Sequence, residues 1–203
     1  MYNNINVLID YYSIGNRMHR RRKIEELNFK IDEDLIGNDN VVAPVHITHR
    51  HFDKNKDMVI IIDTREQLPY TFDVPSEVAT VPVGDYSIAG LEYRIGIERK
   101  ELNDLIGCLC KGRERFEREL QKARALSYFA VVVEASLDDI AQHRYRSKML
   151  PQAVFQSLMA FSVRYRLPIW FAGNRARARK ITQSLLEKFS GEIEKKKKAV
   201  QAI

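Results

Sequence analysis

The hydrophobic pattern divides the chain into an irregular N-terminal part and a regular part that begins at Met58. From there, short continuous apolar runs alternate with amphipathic segments, a pattern typical of a sheet covered by helices. The runs "MVIIID" and "YFAVVVE" predict strands that are buried on both faces. The segments "VATVPV", "LEYRIGIE" and "LPIWFA" predict three more strands.

The amphipathic segments between these runs predict four helices. "LNDLIGCLC" predicts a helix that ends near Gly112, and "RERFERELQKARAL" predicts a second helix with one apolar face. Pro151 suits the first turn of a third helix, which extends to Tyr165. Apolar residues at four-residue spacing between positions 181 and 189 mark a closing helix. The resulting order is three strands, two helices, a strand, a helix, a strand and a helix. It predicts a mixed α/β sheet, with an antiparallel hairpin early and parallel strands later.

Residues 1–57 follow a different pattern. "INVLIDYY" has helical spacing, "RMHRRRKIEEL" is basic, and the segments after it have the composition of a linker. Histidines at positions 46, 49 and 51 have no Cys or fourth spaced ligand near them, so they do not predict a zinc site. We therefore predict an N-terminal helical and basic appendage with a linker over residues 1–57.

The charge of the chain is concentrated at its C-terminal end. The net charge is +6, and from Arg175 onward there are nine Lys or Arg against three Glu, so the preceding residues balance at 24 of each sign. A basic segment on a neutral body is typical of a protein that binds a polyanion such as DNA. The candidate DNA-binding residues in the closing helix are Arg175, Arg177, Arg179 and Lys180. The run "EKKKK" at 194–198 lies in a predicted basic tail, residues 191–203, and is equally consistent with a solubilising tail.

Three features of the sequence bear on the cellular compartment in which we expect the protein. No window of the sequence approaches the run of about 18 apolar residues that spans a bilayer. The N-terminus lacks the early positive charge and the cleavage site of a signal peptide. Cys108 and Cys110, the two cysteines of the chain, suit a reduced structural role. We expect a cytoplasmic protein, associated with the nucleoid in a bacterium or phage, or a nuclear protein in a eukaryote.

Residues that could carry chemistry are concentrated in "GDYSIAGLEYRIGIERK", residues 84–100. On a strand, Glu98 and Lys100 project together, while Arg99 turns to the other side. Asp85 lies across the hairpin and can reach the same pocket. Asp63 closes a buried strand, where strand ends usually open onto a site. The sequence therefore predicts that three carboxylates and one ammonium group converge.

Such a cluster suits phosphodiester hydrolysis. Carboxylates can hold Mg²⁺ or Mn²⁺, which polarises a phosphate and lowers the pKa of bound water. Lys100 can stabilise the attacking hydroxide or the developing charge. Without a cation, the carboxylates should repel one another and have raised pKa values. Each residue also has a plainer reading, because Asp63 could cap a turn, Asp85 could be a turn residue, and E-x-K is common on strands.

Four segments, taken together, resemble a known family. "IIDTREQLPY", "VPVGDY", "IERKELNDL" and the Gly112–Arg113 pair match, in order, the motifs of the ERCC4-type nuclease domain of XPF endonucleases. The resemblance covers about residues 58–190, which we predict to be the nuclease domain. It implies a restriction-endonuclease-like fold of the PD-(D/E)xK type, in which helices flank a mixed sheet.

The resemblance also implies an activity and roles for individual residues. The activity is metal-dependent cutting of branched or flapped DNA, the kind of DNA met in repair and recombination. Carried over by position, the catalytic residues would be Asp63, Asp85, Glu98 and Lys100, and the first three would bind Mg²⁺ or Mn²⁺. Arg65, Glu66 and Arg99 would support the site or contact phosphate. Arg113 would contact the DNA backbone, and Asp104 is more consistent with a structural role at a helix start.

The chain departs from the family in one respect. No helix–hairpin–helix pattern follows Phe189, so the usual mode of subunit pairing is in doubt and a homodimer is implied by resemblance alone. The compact form resembles stand-alone bacterial or phage-borne members. Two alternatives stay open: a non-catalytic DNA-binding or dimerisation partner of the same fold, and a less selective nuclease that also cuts RNA.

Overall fold

The computed structural model describes residues 58–201, which form a six-stranded sheet with helices on both faces. The predicted appendage, residues 1–57, and its three histidines lie outside the described residues. The strands are β1 (Ile60–Asp63), β2 (Ser76–Ala79), β3 (Tyr86–Ile88), β4 (Ile95–Lys100), β5 (Tyr128–Val133) and β6 (Ile169–Phe171). The helices are α1 (Leu102–Leu109), α2 (Arg113–Ala123), α3 (Leu137–Ala141), α4 (Pro151–Tyr165) and α5 (Arg175–Gln201).

The sheet has the order β2-β1-β3-β4-β5-β6. β3 is antiparallel to β1 and β4, whereas β5 is parallel to both β4 and β6. β2 is parallel to β1 and forms an exposed edge. The predicted mixed sheet, with an early hairpin and later parallel strands, is thus confirmed.

Alternation along β5 separates two hydrophobic cores. Val131 and Val133 face a core that contains side chains of α1, α2 and α4, and Ala130 and Val132 face a core covered by α5. Because both faces are covered, β5 is a continuous apolar run, as the sequence predicted. The same alternation in β4 directs Ile97 toward α5 and Glu98 toward the opposite layer.

Some predicted elements differ from the observed ones. Four strands precede α1, whereas the predicted order had three, and a short helix, α3, was not predicted. "VATVPV" overlaps β2 by two residues only, because Val81 and its neighbours leave the sheet to contact Asp63. The closing helix continues past residue 190 and includes the Lys run.

Two glycines allow the segment before β3 to pass close to β4. Gly84 has a φ of 92°, in the left-handed region that favours glycine, and a Cβ there would lie 3.1 Å from the carbonyl oxygen of Ile97. At Gly96 a Cβ would lie 2.4 Å from the carbonyl oxygen of Val83. The position of Asp85, which directly precedes β3, is therefore fixed by close contact between the backbone of residues 83–84 and the backbone of β4.

Candidate active site

The predicted acid–base pair lies at the end of β4. Glu98 and Lys100 point to the same side of the strand, and the Lys100 ammonium donates to Glu98 Oε1. The Lys100 Nζ atom lies 5.7 Å from the centre of the Phe116 ring of α2. Arg99 turns to the opposite side, as the period of a strand requires. Glu98 is 4% exposed, so the fold has buried a carboxyl group next to an amine.

Asp85 joins this pair from the other side of the hairpin. Its Oδ2 accepts a hydrogen bond of 2.7 Å from the backbone N–H of Arg99. Its backbone N–H donates to the carbonyl of Ile97, and its carbonyl accepts from the N–H of Asp63. Asp85 is thus tied to both neighbouring strands by main-chain hydrogen bonds, so its carboxylate is held beside Lys100.

The pKa values of Asp85 and Glu98 are raised, which is the predicted direction, but burial is the larger cause and not the repulsion between carboxylates on which the prediction was based. Burial raises the pKa of Asp85 to about 6, against the lowering effect of the Arg99 amide and the Lys100 charge. Burial and the charge of Asp85 raise the pKa of Glu98 to about 8. Burial alone would lower the pKa of Lys100, but the contact with Glu98 raises it above its usual value.

Asp63 has a different environment. Its Oδ1 accepts from the backbone N–H of Arg65 at 2.9 Å and from the Arg65 Nε at 2.6 Å. Its Oδ2 accepts from the Arg65 Nη2 at 3.1 Å and from the Val81 N–H at 2.7 Å. Burial would raise the pKa of Asp63, but these hydrogen bonds lower it below its usual value. The expectation of a raised pKa is therefore wrong for Asp63, because a nearby arginine neutralises it.

The structure does not gather the three acids into one ligand group. Within residues 58–201, no set of three His, Cys, Asp or Glu side chains is arranged to hold a metal ion. Asp85 and Glu98 fit a divalent cation in their chemistry, because they are a partly buried and a buried carboxylate whose charges repel. Both oxygens of Asp63 already accept hydrogen bonds, so its role as a third ligand stays a prediction that requires Arg65 to move.

An open pocket lies in front of these residues. Its lining includes three acids, Asp85, Asp104 and Glu66, and three basic residues, Lys100, Arg65 and Arg99. Every supporting residue predicted from the sequence therefore lines this pocket. The side chain of Glu66 caps its own turn by accepting from the Leu68 N–H at 2.7 Å.

Sequence reasoning missed Glu134, which follows β5. Its carboxylate accepts from the Arg99 Nε at 2.7 Å, from the Tyr70 hydroxyl at 2.8 Å and from Arg175 Nη1 at 3.0 Å. Burial would raise the pKa of Glu134, but these donors lower it below its usual value. The partners lie far away in sequence, and the one available signal was an acid directly after a buried strand, the same signal that identified Asp63.

A second missed residue is Glu119 of α2. Its charge contributes to the raised pKa values of both Asp85 and Glu98, less than burial does. It lies one turn beyond Phe116, the ring beside Lys100. The helical period places Glu119 next to Phe116 on α2, but the sequence alone did not indicate that this face meets β4.

The predicted DNA-contacting residues fall into two groups, those whose side chains bind other parts of the protein and those whose side chains are unpaired in the described residues. Arg175 donates to the carbonyls of Leu68 and Pro69, and Arg179 donates to Thr71 and Asp73, so both fasten the β1–β2 segment to α5. Arg113 pairs with Glu117 at 3.3 Å and lies over the Phe161 ring. By contrast, Arg177 and Lys180 are exposed. Within the described residues, neither of these two side chains has a hydrogen bond or ion pair.

Comparison with known proteins supports the family resemblance. A sequence model of the ERCC4 domain matches residues 62–185. The chain therefore belongs to the ERCC4 domain family, which generally consists of nucleases. No curated protein matches the chain.

Two solved structures of XPF from Aeropyrum pernix have the same fold. The first is 19% identical, with a TM-score of 0.52, over 64% of this chain and 60% of that chain. The second, solved in complex with DNA, is 18% identical, with a TM-score of 0.52, over 66% of each chain. The similarity thus covers less than two thirds of either archaeal chain. The predicted fold, a mixed sheet flanked by helices as in XPF nuclease domains, is confirmed.

Proposed function

We propose that this protein is a metal-dependent endonuclease that cuts DNA near branches, flaps or forks. The observation that carries the proposal is the cluster of Asp85, Glu98 and Lys100: Glu98 is buried, and Asp85 and Lys100 line a pocket that arginines also line. Membership of the ERCC4 family and the DNA complex of the archaeal XPF support DNA as the substrate.

In this proposal, Asp85 and Glu98 would hold Mg²⁺ or Mn²⁺. The ion would polarise the scissile phosphate and lower the pKa of bound water. Lys100, oriented by Glu98, stabilises negative charge that develops on the phosphate oxygens. Arg99 is held by Glu134, and its Nη1 atom lies 3.7 Å from Glu66 Oε1. These two contacts fix a positive charge at the pocket wall. Arg65 is 68% exposed and is available to contact a phosphate.

A panel of labelled DNAs tests the proposal. Flap, fork, duplex and single-stranded substrates would be incubated with Mg²⁺, Mn²⁺ or EDTA, and the products resolved on sequencing gels. We expect cuts near the branch that EDTA abolishes. Binding without cutting under every metal would favour the non-catalytic partner, and equal cutting of RNA would favour an unselective nuclease. A homodimer stays a prediction, testable by light scattering on the same sample.

A further inference from the structure

A basic loop, residues 142–148, connects α3 to α4 at the same end of the sheet as the candidate active site. β4 and β5 run parallel, with Lys100 paired to Val133, and the chain passes from β5 through α3 into this loop. The backbone N–H of Arg146 donates to the Asn103 side chain at 2.9 Å. Asn103 precedes Asp104, which lines the pocket, so the loop contacts the neighbour of a pocket-lining residue.

The loop is held in one shape by its own contacts. His143 has a φ of 56°, its ring stacks on the Tyr145 ring at 4.3 Å, and its Nε2 lies 2.8 Å from the carbonyl of Ser147. The Tyr145 hydroxyl donates to the Met149 carbonyl at 2.7 Å, which ties the end of the loop. A loop that is already ordered loses little conformational entropy when it binds a partner.

The charges of the loop point to an anionic partner. The Nε atom of Arg144 lies 2.7 Å from Asp139 Oδ1, so the charge of Arg144 is paired within the protein. Arg146 and Lys148 are exposed, and within residues 58–201 their side chains have no hydrogen bond or ion pair. The pocket beside them is rich in carboxylates, which repel a nucleic acid backbone. Fixed positive charges at its edge would offset that repulsion.

We infer that the basic loop binds the phosphate backbone of DNA next to the pocket, through Arg146 and Lys148. The inference rests on the proposed function and extends it, because it assigns a DNA-binding surface outside the C-terminal helix. The loop reads no sequence, since phosphate contacts position a duplex without reading its bases. It holds the duplex so that the strand reaches Lys100.

The test is a comparison of double variants in EDTA, where binding is measured without cutting. Arg146→Ala with Lys148→Ala should weaken DNA binding in fluorescence anisotropy. It should also make the negative slope of log affinity against log salt less steep by about 2, because each of the two side chains neutralises one phosphate. Arg146→Lys with Lys148→Arg keeps both charges and should bind like the wild type.

The matched control is Lys122→Ala with Arg124→Ala. These residues are exposed and lie at the end of α2, where β5 begins, at the opposite end of the strands from Lys100 and Val133. The control should leave the affinity and the salt slope unchanged. Equal losses in both double variants, or no loss in the loop variant, would overturn the assignment of the loop. A wild-type protein that binds no DNA would overturn the proposed function as well.

Discussion

Glu98 is a carboxylate in a place where a carboxylate is costly. Burial and the nearby Asp85 favour its protonated form, whereas the Lys100 ammonium favours the charged one. A structural ion pair gains nothing from a second acid beside it. The crowding of two acids and one amine at the end of β4 is a repulsion that the proposed cation would relieve.

The first prediction concerns this cluster. Asp85→Asn and Lys100→Ala should each lower the cleavage rate about 100-fold or more, because the first removes a carboxylate that would hold the cation and the second removes the ammonium group that stabilises charge on the phosphate oxygens. Gel assays on a flap substrate measure the rate, and anisotropy in EDTA should find DNA binding largely unchanged. Glu77→Gln, a matched change on the exposed edge strand β2, should cut normally. Near-normal turnover in either variant would refute the assignment.

Glu134 supports the second prediction. Glu134→Gln should lower kcat about 10-fold with little change in KM, because Arg99 loses the partner that orients it. It should also lower the free energy of unfolding by about 1.5–3 kcal/mol, the usual value for hydrogen bonds to charged groups. Steady-state kinetics and urea unfolding measure the two effects.

The control for this variant is Glu117→Gln. Glu117 also binds two arginines, Arg113 and Arg164, but it does so between α2 and α4, and none of these three residues lines the pocket. The Glu117→Gln variant should have a lower free energy of unfolding and an unchanged kcat. If both variants lose activity in proportion to stability, Glu134 has no role in orienting the site.

At the scale of elements, α3 is stabilised by its first turn. Ser136 is the N-cap, and its Oγ accepts from the Asp139 N–H, while Asp139 accepts from the Ser136 N–H at 2.7 Å. This reciprocal capping satisfies two backbone donors that would otherwise lack partners. Because α3 leads into the basic loop, its cap also fixes where that loop starts.

The third prediction follows from this cap. Asp139→Asn should lower the free energy of unfolding by about 1 kcal/mol at pH 7. Burial would raise the pKa of Asp139, but its hydrogen bonds with Ser136 and its pair with Arg144 lower it. Its stabilising effect is therefore present above the unfolded value of 3.8 and is lost as the pH falls through the lower folded value.

Urea unfolding of the variant and the wild type at pH 7 and at about pH 2 checks both statements. The difference between the two proteins should shrink at the lower pH. Asp138→Asn, in the same turn but exposed, is the control and should have a small effect at either pH. A difference that persists unchanged in acid would mean that the cap does not depend on the carboxylate charge.

The elements were predictable where local pattern decides the structure. β1 and β5 are continuous apolar runs, and α4 begins at the predicted Pro151 and ends at the predicted Tyr165. Pattern failed at residues 80–83, whose apolar spacing resembles a strand although Val81 donates to Asp63 instead. It also failed at α3, which is too short for a helical period to be recognised.

The site was predictable in part for the same reason. Glu98 and Lys100 share a strand, so their common direction follows from the period of two. The Glu134–Arg99 contact joins residues 35 positions apart, and no local pattern selects that pairing. Asp63 and Arg65 are only two residues apart, yet their mutual neutralisation depends on the turn that follows β1, which the sequence did not specify.

At the scale of the molecule, positive charge is distributed over separate surfaces. α5 has 27 residues and is about 40 Å long. Its first turns fasten the β1–β2 segment through Arg175 and Arg179, and its last turns carry the exposed Lys run. No helix in the described part of the chain is long and apolar enough to cross a membrane.

The fourth prediction concerns this end of α5. Changing residues 195–198 to Ala should weaken the binding of duplex and flap DNA by the same factor, because the contacts are with phosphate. Four consecutive helical residues point in different directions, so only about half can face one duplex. The negative slope of log affinity against log salt should therefore become less steep by about 2 and not by about 4.

Anisotropy titrations over a range of salt concentrations measure this slope. Thermal unfolding should be nearly unchanged, since these side chains are exposed and the pair between Lys195 and Glu192 lies at the surface. An unaltered slope would show that the Lys run serves solubility alone.

The close approach at Gly96 has a consequence for genetics. Any side chain there would push Val83 away and displace the segment that leads to Asp85. A random screen for inactive alleles would therefore recover changes at Gly96 alongside changes at Glu98, although glycine has no side chain with which to do chemistry. Counting such alleles as catalytic would overstate the number of residues that act on the substrate.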